Sequence, residues 1–177
     1  MISEVFEGAP AEVREPAEQR VYDTLQNLQI PFTRVDHEPA FTMEACVDIS
    51  RALGVSVCKN LLLTPRNKSA YYLYCTEPEK PFSTKDFSKA IGSSRLSFAS
   101  EEDLQALLGV APGSASILGL MNDSAHRVTL VLDKSVAEAE FFGCHPCRNT
   151  STLKLKTADV LHRFLPAVGY EPVILEP

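Results

Sequence analysis

The chain has 177 residues, and its 17 Lys and Arg against 23 Asp and Glu give a formal net charge of −6. That length suits one domain with a substantial core, and 45% hydrophobic and 23% charged residues are typical of an ordinary globular protein. The acidic balance excludes a broad, nonspecific grip on a nucleic-acid backbone but allows a local basic patch, and no apolar run approaches the ~20 residues that cross a bilayer.

The N-terminal half predicts an arm followed by helices and strands. Residues 1–16 show no sustained period and lack the regions of a signal peptide, so we expect a loosely held arm and no export. The domain then runs over residues 17–177. Thr42 is predicted to cap a helix that ends at Gly54. The other predicted elements here are a helix over 17–30 and strands at 32–37, 57–63 and 71–75.

Two further helices are predicted from their start signals. Ser83 and Ser100 are each followed three residues later by an acid, a capping-box pattern that opens helices ending near Gly92 and Gly109. The segment 109–122 is rich in small residues and predicts a structured loop.

The C-terminal part completes an α/β pattern. Thr157 is predicted to cap a last helix that runs to Val168. Because hairpin-like strand pairs are interspersed with helices, we expect a mixed or antiparallel sheet rather than a doubly wound parallel one. The predicted strands are 95–99, 128–132, 153–155 and 172–175.

Lys59 is the most informative candidate residue. It lies within residues 57–63, so a cation stands inside the most apolar predicted strand. Two interpretations fit: a lysine on the solvent face of a half-buried strand, or a lysine at the edge of a pocket, where its ammonium meets a phosphate or a developing oxyanion. Asn60 would point to the opposite face of a regular strand, which makes it the weaker candidate for the same cleft.

The loop 109–116, Gly-Val-Ala-Pro-Gly-Ser-Ala-Ser, is a second candidate. Its glycines and proline could turn backbone N–H groups toward an oxyanion or carbonyl. It has neither the Gly-Lys-Ser/Thr of a Walker A loop nor the second glycine of a nucleophile elbow. Taken alone, the segment is better explained as a plain connection.

The five cysteines are typical of reduced thiols, and we expect a cytoplasmic protein. Cys144, His145 and Cys147 are too close together for easy chelation, and no second paired motif completes a zinc site, so we expect no metal and no cofactor. A thiol nucleophile with His145 as its base is disfavoured because sequence neighbours rarely orient correctly. What remains is a polar loop in which His145, Asn149 and Thr150 bind a ligand. His37 is expected to be exposed or locally hydrogen-bonded.

Six sequence blocks, taken together, carry a family resemblance over nearly the whole chain. They are D-H-E-P-A-F-T (36–42), C-K-N-L-L-L (58–63), R-L-S-F-A-S-E-E-D-L (95–104), L-L-G-V-A-P-G-S-A-S (107–116), G-L-M-N-D (119–123) and C-H-P-C-R-N-T-S-T (144–152). In this order they resemble the YbaK/prolyl-tRNA-synthetase-associated domain family. Within it the chain is most similar to the freestanding ProXp-ala/PrdX-type branch, rather than to the YbaK proteins that clear Cys-tRNA(Pro).

The resemblance implies a fold, a reaction and a site. The fold would be a single compact domain with a mixed, partly barrel-like sheet surrounded by helices. The reaction would be trans-editing, the hydrolysis of the ester in mischarged Ala-tRNA(Pro). The implied partners are the acceptor end of tRNA(Pro) and, transiently, prolyl-tRNA synthetase or an elongation factor, with no membrane. The implied residues are Lys59 as the catalytic lysine at the tRNA terminus, and Thr42, Asn60, Gly113, Ser114, His145, Asn149 and Thr150 as substrate-binding residues.

General chemistry is compatible with this reaction. An aminoacyl ester is already activated and the vicinal ribose hydroxyl can assist water, so a site need only position the substrate and stabilise an oxyanion. A pocket sized for a methyl group rejects the proline ring, but one methylene is worth only ~1–3 kcal/mol, so Gly or Ser esters should be poorly discriminated. Two alternatives stay open: a deacylase for another mischarged tRNA, such as one carrying Ser or Cys, and a noncatalytic module that binds the tRNA 3′ end.

Overall fold

The computed structural model describes residues 1–176, in which nine strands form two sheets. The strands are β1 (Phe6–Glu7), β2 (Phe32–Asp36), β3 (Lys59–Pro65), β4 (Tyr71–Thr76), β5 (Leu96–Phe98), β6 (Val128–Asp133), β7 (Phe141–Cys144), β8 (Ser151–Lys156) and β9 (Val173–Leu175). The helices are α1 (Pro16–Asn27), α2 (Met43–Leu53), α3 (Thr84–Ala90), α4 (Glu101–Leu108), α5 (Lys134–Glu138), α6 (Thr157–Asp159) and α7 (Leu165–Ala167), with a 3₁₀ helix at Ile117–Asn122 and a π-helical turn at Val160–Phe164. The predicted α/β fold class is confirmed. Within these residues, none of the helices is long and apolar enough to cross a membrane.

The four-stranded sheet, ordered β1-β2-β8-β7, is antiparallel and includes the N-terminal residues. The sequence predicts a loosely held arm over residues 1–16, and the structure corrects this. Phe6 of β1 pairs with Arg34 of β2, and the Arg34 guanidinium also lies 4.7 Å from the centre of the Phe6 ring. A strand of two residues is too short to give an alternating pattern, so the sequence alone does not reveal it.

The five-stranded sheet, ordered β5-β3-β4-β6-β9, is mixed, as predicted. Its first three strands are antiparallel, whereas β4, β6 and β9 run parallel to one another. Within residues 1–176, neither sheet closes into a barrel. The expected partly barrel-like sheet is therefore replaced by two open sheets that pack around a shared hydrophobic core.

The two sheets meet at the residues that precede β3. Val57 forms a parallel bridge with Gly143 of β7, and the Cys58 N–H donates to the Gly143 carbonyl at 2.9 Å. A Cβ at position 143 would lie 2.7 Å from the carbonyl oxygen of Ser56, which is closer than a side chain can approach. Glycine is required here because it lets two backbones come together. The junction places Lys59, the first residue of β3, beside the end of β7.

Most predicted helix starts are confirmed, and one is wrong. The hydroxyls of Thr42, Ser83 and Ser100 each accept a hydrogen bond from the N–H three residues on, as N-caps of α2, α3 and α4. Thr157 instead is the first residue of α6, and Lys156 occupies the cap position because β8 runs directly into the helix. The Thr157 hydroxyl is the one buried side-chain N or O atom in residues 1–176 without a hydrogen-bond partner.

A buried carboxylate at the end of β6 organises one face of the mixed sheet. Asp133 is 0% exposed and accepts hydrogen bonds from the hydroxyls of Tyr74 (2.6 Å) and Thr76 and from the ammonium of Lys80 (2.7 Å). Burial opposes ionisation of Asp133, but the hydrogen bonds from Lys80, Thr76 and Tyr74 outweigh it and hold its pKa below the ordinary value.

We expect Asp133→Asn to lower the free energy of unfolding at pH 7 by about 2–3 kcal/mol, because hydrogen bonds to a charged group are lost in a buried setting. Since the folded-state pKa is depressed, this stabilisation is complete above the ordinary carboxyl pKa of 3.8 and is lost as the pH falls through the lower folded value. Urea unfolding at pH 7 and at successively lower pH should therefore show the two proteins converging.

Asp48→Asn is the matched control, because Asp48 forms an exposed ion pair with Arg51. Its effect should stay below about 1 kcal/mol. Two results would contradict the stabilising role of ionised Asp133. One is an equal loss of unfolding free energy in the two variants, and the other is a difference between wild type and Asp133→Asn that does not narrow as the pH falls.

Candidate functional site

Asn149, in the loop after β7, holds the segment between β2 and α2 in place. Its side-chain oxygen accepts from the Ala40 N–H at 3.2 Å, and its amide group donates to the Ala40 carbonyl at 3.0 Å. Asn149 is 6% exposed, so this pair of hydrogen bonds is largely shielded from water. Both ends of the predicted substrate-binding side chain are engaged with backbone, which gives Asn149 a positioning role.

Gly113 brings the glycine-containing loop against the same segment. Its φ is +83°, and a Cβ there would lie 3.4 Å from Nδ2 of Asn149 and 3.5 Å from Cε1 of Phe41. Phe41 is 77% exposed, so its ring covers the loop on one side and meets solvent on the other. Thr42, the next residue, uses its hydroxyl to cap α2 by accepting from the Ala45 N–H at 3.2 Å. The structure thus places Gly113 beside Asn149 and Phe41, the residue that precedes Thr42.

Ser114 and Thr150 contribute in different ways. Ser114 is 5% exposed, and its N–H donates to the Ala111 carbonyl at 3.0 Å. Its hydroxyl makes no hydrogen bond within residues 1–176, and the oxygen is not fully buried. Thr150 is exposed, and its carbonyl accepts from the His37 N–H at 2.9 Å. The Ser114 hydroxyl is therefore available to a ligand, whereas the contact made by Thr150 is through its backbone.

His145 presents an unpaired nitrogen. Its Nδ1 donates to the Ser151 carbonyl at 2.9 Å and lies 3.3 Å from the Thr152 hydroxyl oxygen. Burial lowers the pKa of His145, and nearby His37 adds to this against the opposing backbone hydrogen bond, so the ring is neutral at pH 7. Within residues 1–176 its Nε2 has no hydrogen-bond partner and is not among the fully buried side-chain atoms that lack one, so this nitrogen keeps some exposure to solvent. In the neutral ring it carries a lone pair.

Lys59 and Asn60 lie on opposite faces of β3, as predicted. The register places Lys59 opposite Thr76 and Asn60 opposite Cys75, which belongs to the main core. The Lys59 ammonium donates to the Lys80 carbonyl at 2.7 Å, whereas the Asn60 side-chain oxygen accepts from the Cys75 thiol at 2.7 Å. One carbonyl leaves the half-buried ammonium with two donors, so Lys59 can still bind an anion.

Within residues 1–176, Lys59 makes no hydrogen bond to His145 or Asn149; the Gly143 junction relates them through the backbone. The roles assigned to the site residues stay predictions. Phe41, which lies beside Gly113, and Thr152, which lies beside His145 Nδ1, are within the six blocks, but the sequence patterns do not single them out. The sequence predicts His37 only as an exposed or locally hydrogen-bonded residue.

The cysteines around the site are inert thiols. Burial raises the pKa of Cys58 and of Cys147 to about 12 and that of Cys144 well above its ordinary value. All five cysteines of the chain are free. A protonated thiol is a poor nucleophile, so the structure gives no support to a cysteine mechanism with His145 as base. In the range 1–176 no group of three or more His, Cys, Asp or Glu is arranged to hold a metal ion.

The chain is similar to known proteins over most of its length. The family model described as "Aminoacyl-tRNA editing domain" matches residues 37–162. Prolyl-tRNA editing protein ProX of Acetoanaerobium sticklandii is 32% identical over 144 residues, which cover 81% of this chain and 88% of the relative. Prolyl-tRNA synthetase associated domain-containing protein 1 of Danio rerio is 32% identical over 169 residues, which cover 94% of this chain and 89% of the relative.

A solved structure described as a candidate trans-editing enzyme for prolyl tRNA synthetase has the same fold. It superimposes with a TM-score of 0.66 at 14% sequence identity, and the match covers 93% of this chain and 99% of that one.

We expect Asn149→Ala to release the segment around Ala40. Losing two shielded hydrogen bonds costs about 1–3 kcal/mol, so the Ala40 amide should exchange with solvent at least about five-fold faster. Native-state hydrogen exchange followed by NMR measures this directly. Asn122→Ala is the control, because Asn122 also donates to a backbone carbonyl, that of Leu108 at 2.8 Å, in a different loop. Unchanged exchange at Ala40 in Asn149→Ala, or an equal change in both variants, would refute the positioning role.

Proposed function

The chain belongs to the aminoacyl-tRNA editing domain family, and we propose that it is a trans-editing deacylase that hydrolyses the ester of mischarged Ala-tRNA(Pro). The names of its relatives, a prolyl-tRNA editing protein and a prolyl-tRNA synthetase associated domain protein, support tRNA(Pro) as the carrier. Two observations carry the proposal: the Lys59 ammonium keeps donors beyond its one hydrogen bond to the Lys80 carbonyl, and His145 Nε2 has no hydrogen-bond partner within residues 1–176. The Val57–Gly143 bridge joins the strand that precedes Lys59 to the strand that precedes His145.

The two groups suit the two ends of an aminoacyl ester. The Lys59 ammonium retains donors for a phosphate or for the oxyanion that forms when water adds to the ester carbonyl. The Nε2 lone pair of His145 can accept a hydrogen bond from the aminoacyl end. When the tetrahedral intermediate collapses, the ribose oxygen leaves and takes a proton, which yields free alanine and tRNA. The protein supplies orientation and charge stabilisation, and the activated ester supplies the reactivity.

The walls of the site support a small amino acid. Ala40, Gly113 and Ser114 are among the smallest residues, and Phe41 lies against the Gly113 backbone. A Cβ at position 113 would already be in van der Waals contact with both Phe41 and Asn149. A site bounded in this way favours a methyl group over a proline ring, so that the correctly charged tRNA is spared.

A basic groove supports a tRNA partner for an acidic chain. Lys85, Lys89 and Arg95 line a groove of about 670 Å³ beside α3, together with the hydroxyl residues Thr84 and Ser88. Three cations in one groove suit the phosphates of an acceptor stem, and few contacts imply a modest salt dependence. Transient contact with prolyl-tRNA synthetase or an elongation factor, and a cytoplasmic location, belong to the same proposal.

The test is hydrolysis of Ala-tRNA(Pro) by wild-type protein and by Lys59→Ala. We expect turnover well above background for the wild type, and a loss of about 100-fold or more in kcat/KM for the variant, because a donor to the developing charge is removed. Thermal unfolding should remain close to that of the wild type, since the Lys59 side chain is only half-buried and makes one hydrogen bond.

Lys134→Ala serves as the control, because Lys134 forms exposed ion pairs with Glu138 and Glu176. It should hydrolyse the ester at the wild-type rate. Near-normal activity of Lys59→Ala would refute the role of the lysine. Binding of the tRNA without turnover by the wild type would favour the noncatalytic module.

A further inference from the structure

We propose that His37 and Thr152 are positioning residues that lock His145 in its Nδ1–H tautomer, so that Nε2 is presented to the substrate as a hydrogen-bond acceptor. The proposal rests on the proposed function in one respect, since the substrate is taken to be an aminoacyl ester. The chain of hydrogen bonds from His37 through Thr152 to His145, called the relay below, is a property of the folded protein. It can be measured without any substrate.

The first half of the relay fixes the direction of the Thr152 hydroxyl. His37 Nδ1 lies 2.8 Å from the Glu38 carbonyl, which can only accept, so Nδ1 carries the ring proton. In an imidazole that carries one ring proton Nε2 is then an acceptor, and it lies 2.8 Å from the Thr152 hydroxyl oxygen. The Thr152 hydroxyl therefore donates to His37 and turns a lone pair toward the other side.

The second half passes this polarity to His145. Its Nδ1 faces two acceptors, the Ser151 carbonyl at 2.9 Å and the lone pair of Thr152 at 3.3 Å. A nitrogen that faces two acceptors must carry the proton, and in a neutral imidazole the other nitrogen then has a lone pair. This is the Nε2 that lacks a hydrogen-bond partner within residues 1–176 without being fully buried.

The surroundings make the opposite polarity costly. Ser151 and Thr152 are fully buried in β8, and His37 is 8% exposed. Reversing the Thr152 hydroxyl would leave the His37 Nε2 unpaired and would set two hydrogens between Thr152 and His145. A buried donor or acceptor without a hydrogen-bond partner destabilises the folded state, and linked hydrogen bonds strengthen one another. The pairing of β2 with β8, in which Asp36 lies opposite Ser151, sets both rings in position.

Because Nε2 is a hydrogen-bond acceptor, the substrate must supply a hydrogen-bond donor to it. The aminoacyl end of the ester carries a primary α-ammonium group, a strong N–H donor, and a bare Nε2 can receive it. The other tautomer would direct an N–H at that cation and repel it. We therefore expect the relay to act on substrate binding rather than on the bond-breaking step, and so to affect KM more than kcat.

The experiment uses Thr152→Val, which removes the hydroxyl at nearly constant shape, and Thr152→Ser, which restores it. The ¹⁵N signals of the ring nitrogens report the tautomer directly. In wild type we expect His145 to be protonated on Nδ1 and bare on Nε2. Thr152→Val should move the tautomer ratio about three- to ten-fold toward Nε2–H, the effect of one lost hydrogen bond, while the Ser151 carbonyl limits the change. Thr152→Ser should match the wild type.

The second measurement is the steady-state kinetics of Ala-tRNA(Pro) hydrolysis. Thr152→Val should raise KM by about three- to ten-fold with kcat within about two-fold, and Thr152→Ser should recover the wild-type KM. Thr129 is an exposed threonine of β6, so Thr129→Val is the control. It should change neither the tautomer ratio of His145 nor KM.

The outcomes separate the relay from the reaction. An Nε2–H tautomer in the wild type, or an unchanged ratio in Thr152→Val, would overturn the relay. A shifted ratio with an unchanged KM would overturn its role in substrate binding. If the wild type hydrolysed no aminoacyl-tRNA, the proposed function would fail while the NMR result still decided the relay.

Discussion

The backbone of Gly143 lies so close to the Ser56 carbonyl that a Cβ would be 2.7 Å from that oxygen, and the arrangement of the site depends on this contact. It allows Cys58 to hydrogen-bond to β7 and so joins two sheets that otherwise stay open. The mixed sheet then delivers the Lys59 ammonium, and the antiparallel sheet delivers the loop that carries His145 and Asn149. Neither sheet alone holds both groups.

Each side of the junction supplies one kind of chemistry. The mixed sheet contributes cations, with Lys59 at the start of β3 and the basic groove beside α3, on a chain whose net charge is −6. The antiparallel sheet contributes fixed neutral donors and acceptors, because Asn149 holds Ala40 and burial keeps His145 uncharged. The thiols between them stay protonated. Such a site suits an ester that needs orientation and charge stabilisation more than a protein nucleophile.

Local features of the fold could be predicted from the sequence, and contacts distant in sequence could not. Thr42 and Ser100 were identified as caps because a cap and its partner lie three residues apart. Lys59 and Asn60 were placed on opposite faces by the alternation of a strand. The bonds from Asn149 to Ala40 and from Thr152 to His37 span 109 and 115 residues, which no spacing rule reaches. The family resemblance named Asn149 as a site residue, but only the structure shows that its side chain is engaged with backbone.

The most direct measurement is the rate of ester hydrolysis on Ala-, Ser-, Cys- and Pro-tRNA(Pro) compared side by side under one set of conditions. We expect Ala-tRNA(Pro) to be hydrolysed fastest and Pro-tRNA(Pro) to stay at background. Ser-tRNA(Pro) should also be hydrolysed well above background, because the site has limited means to reject a side chain of similar size. Hydrolysis of Pro-tRNA(Pro) at a rate comparable to that of Ala-tRNA(Pro), or of none of the four, would contradict an editing site that spares the correct product.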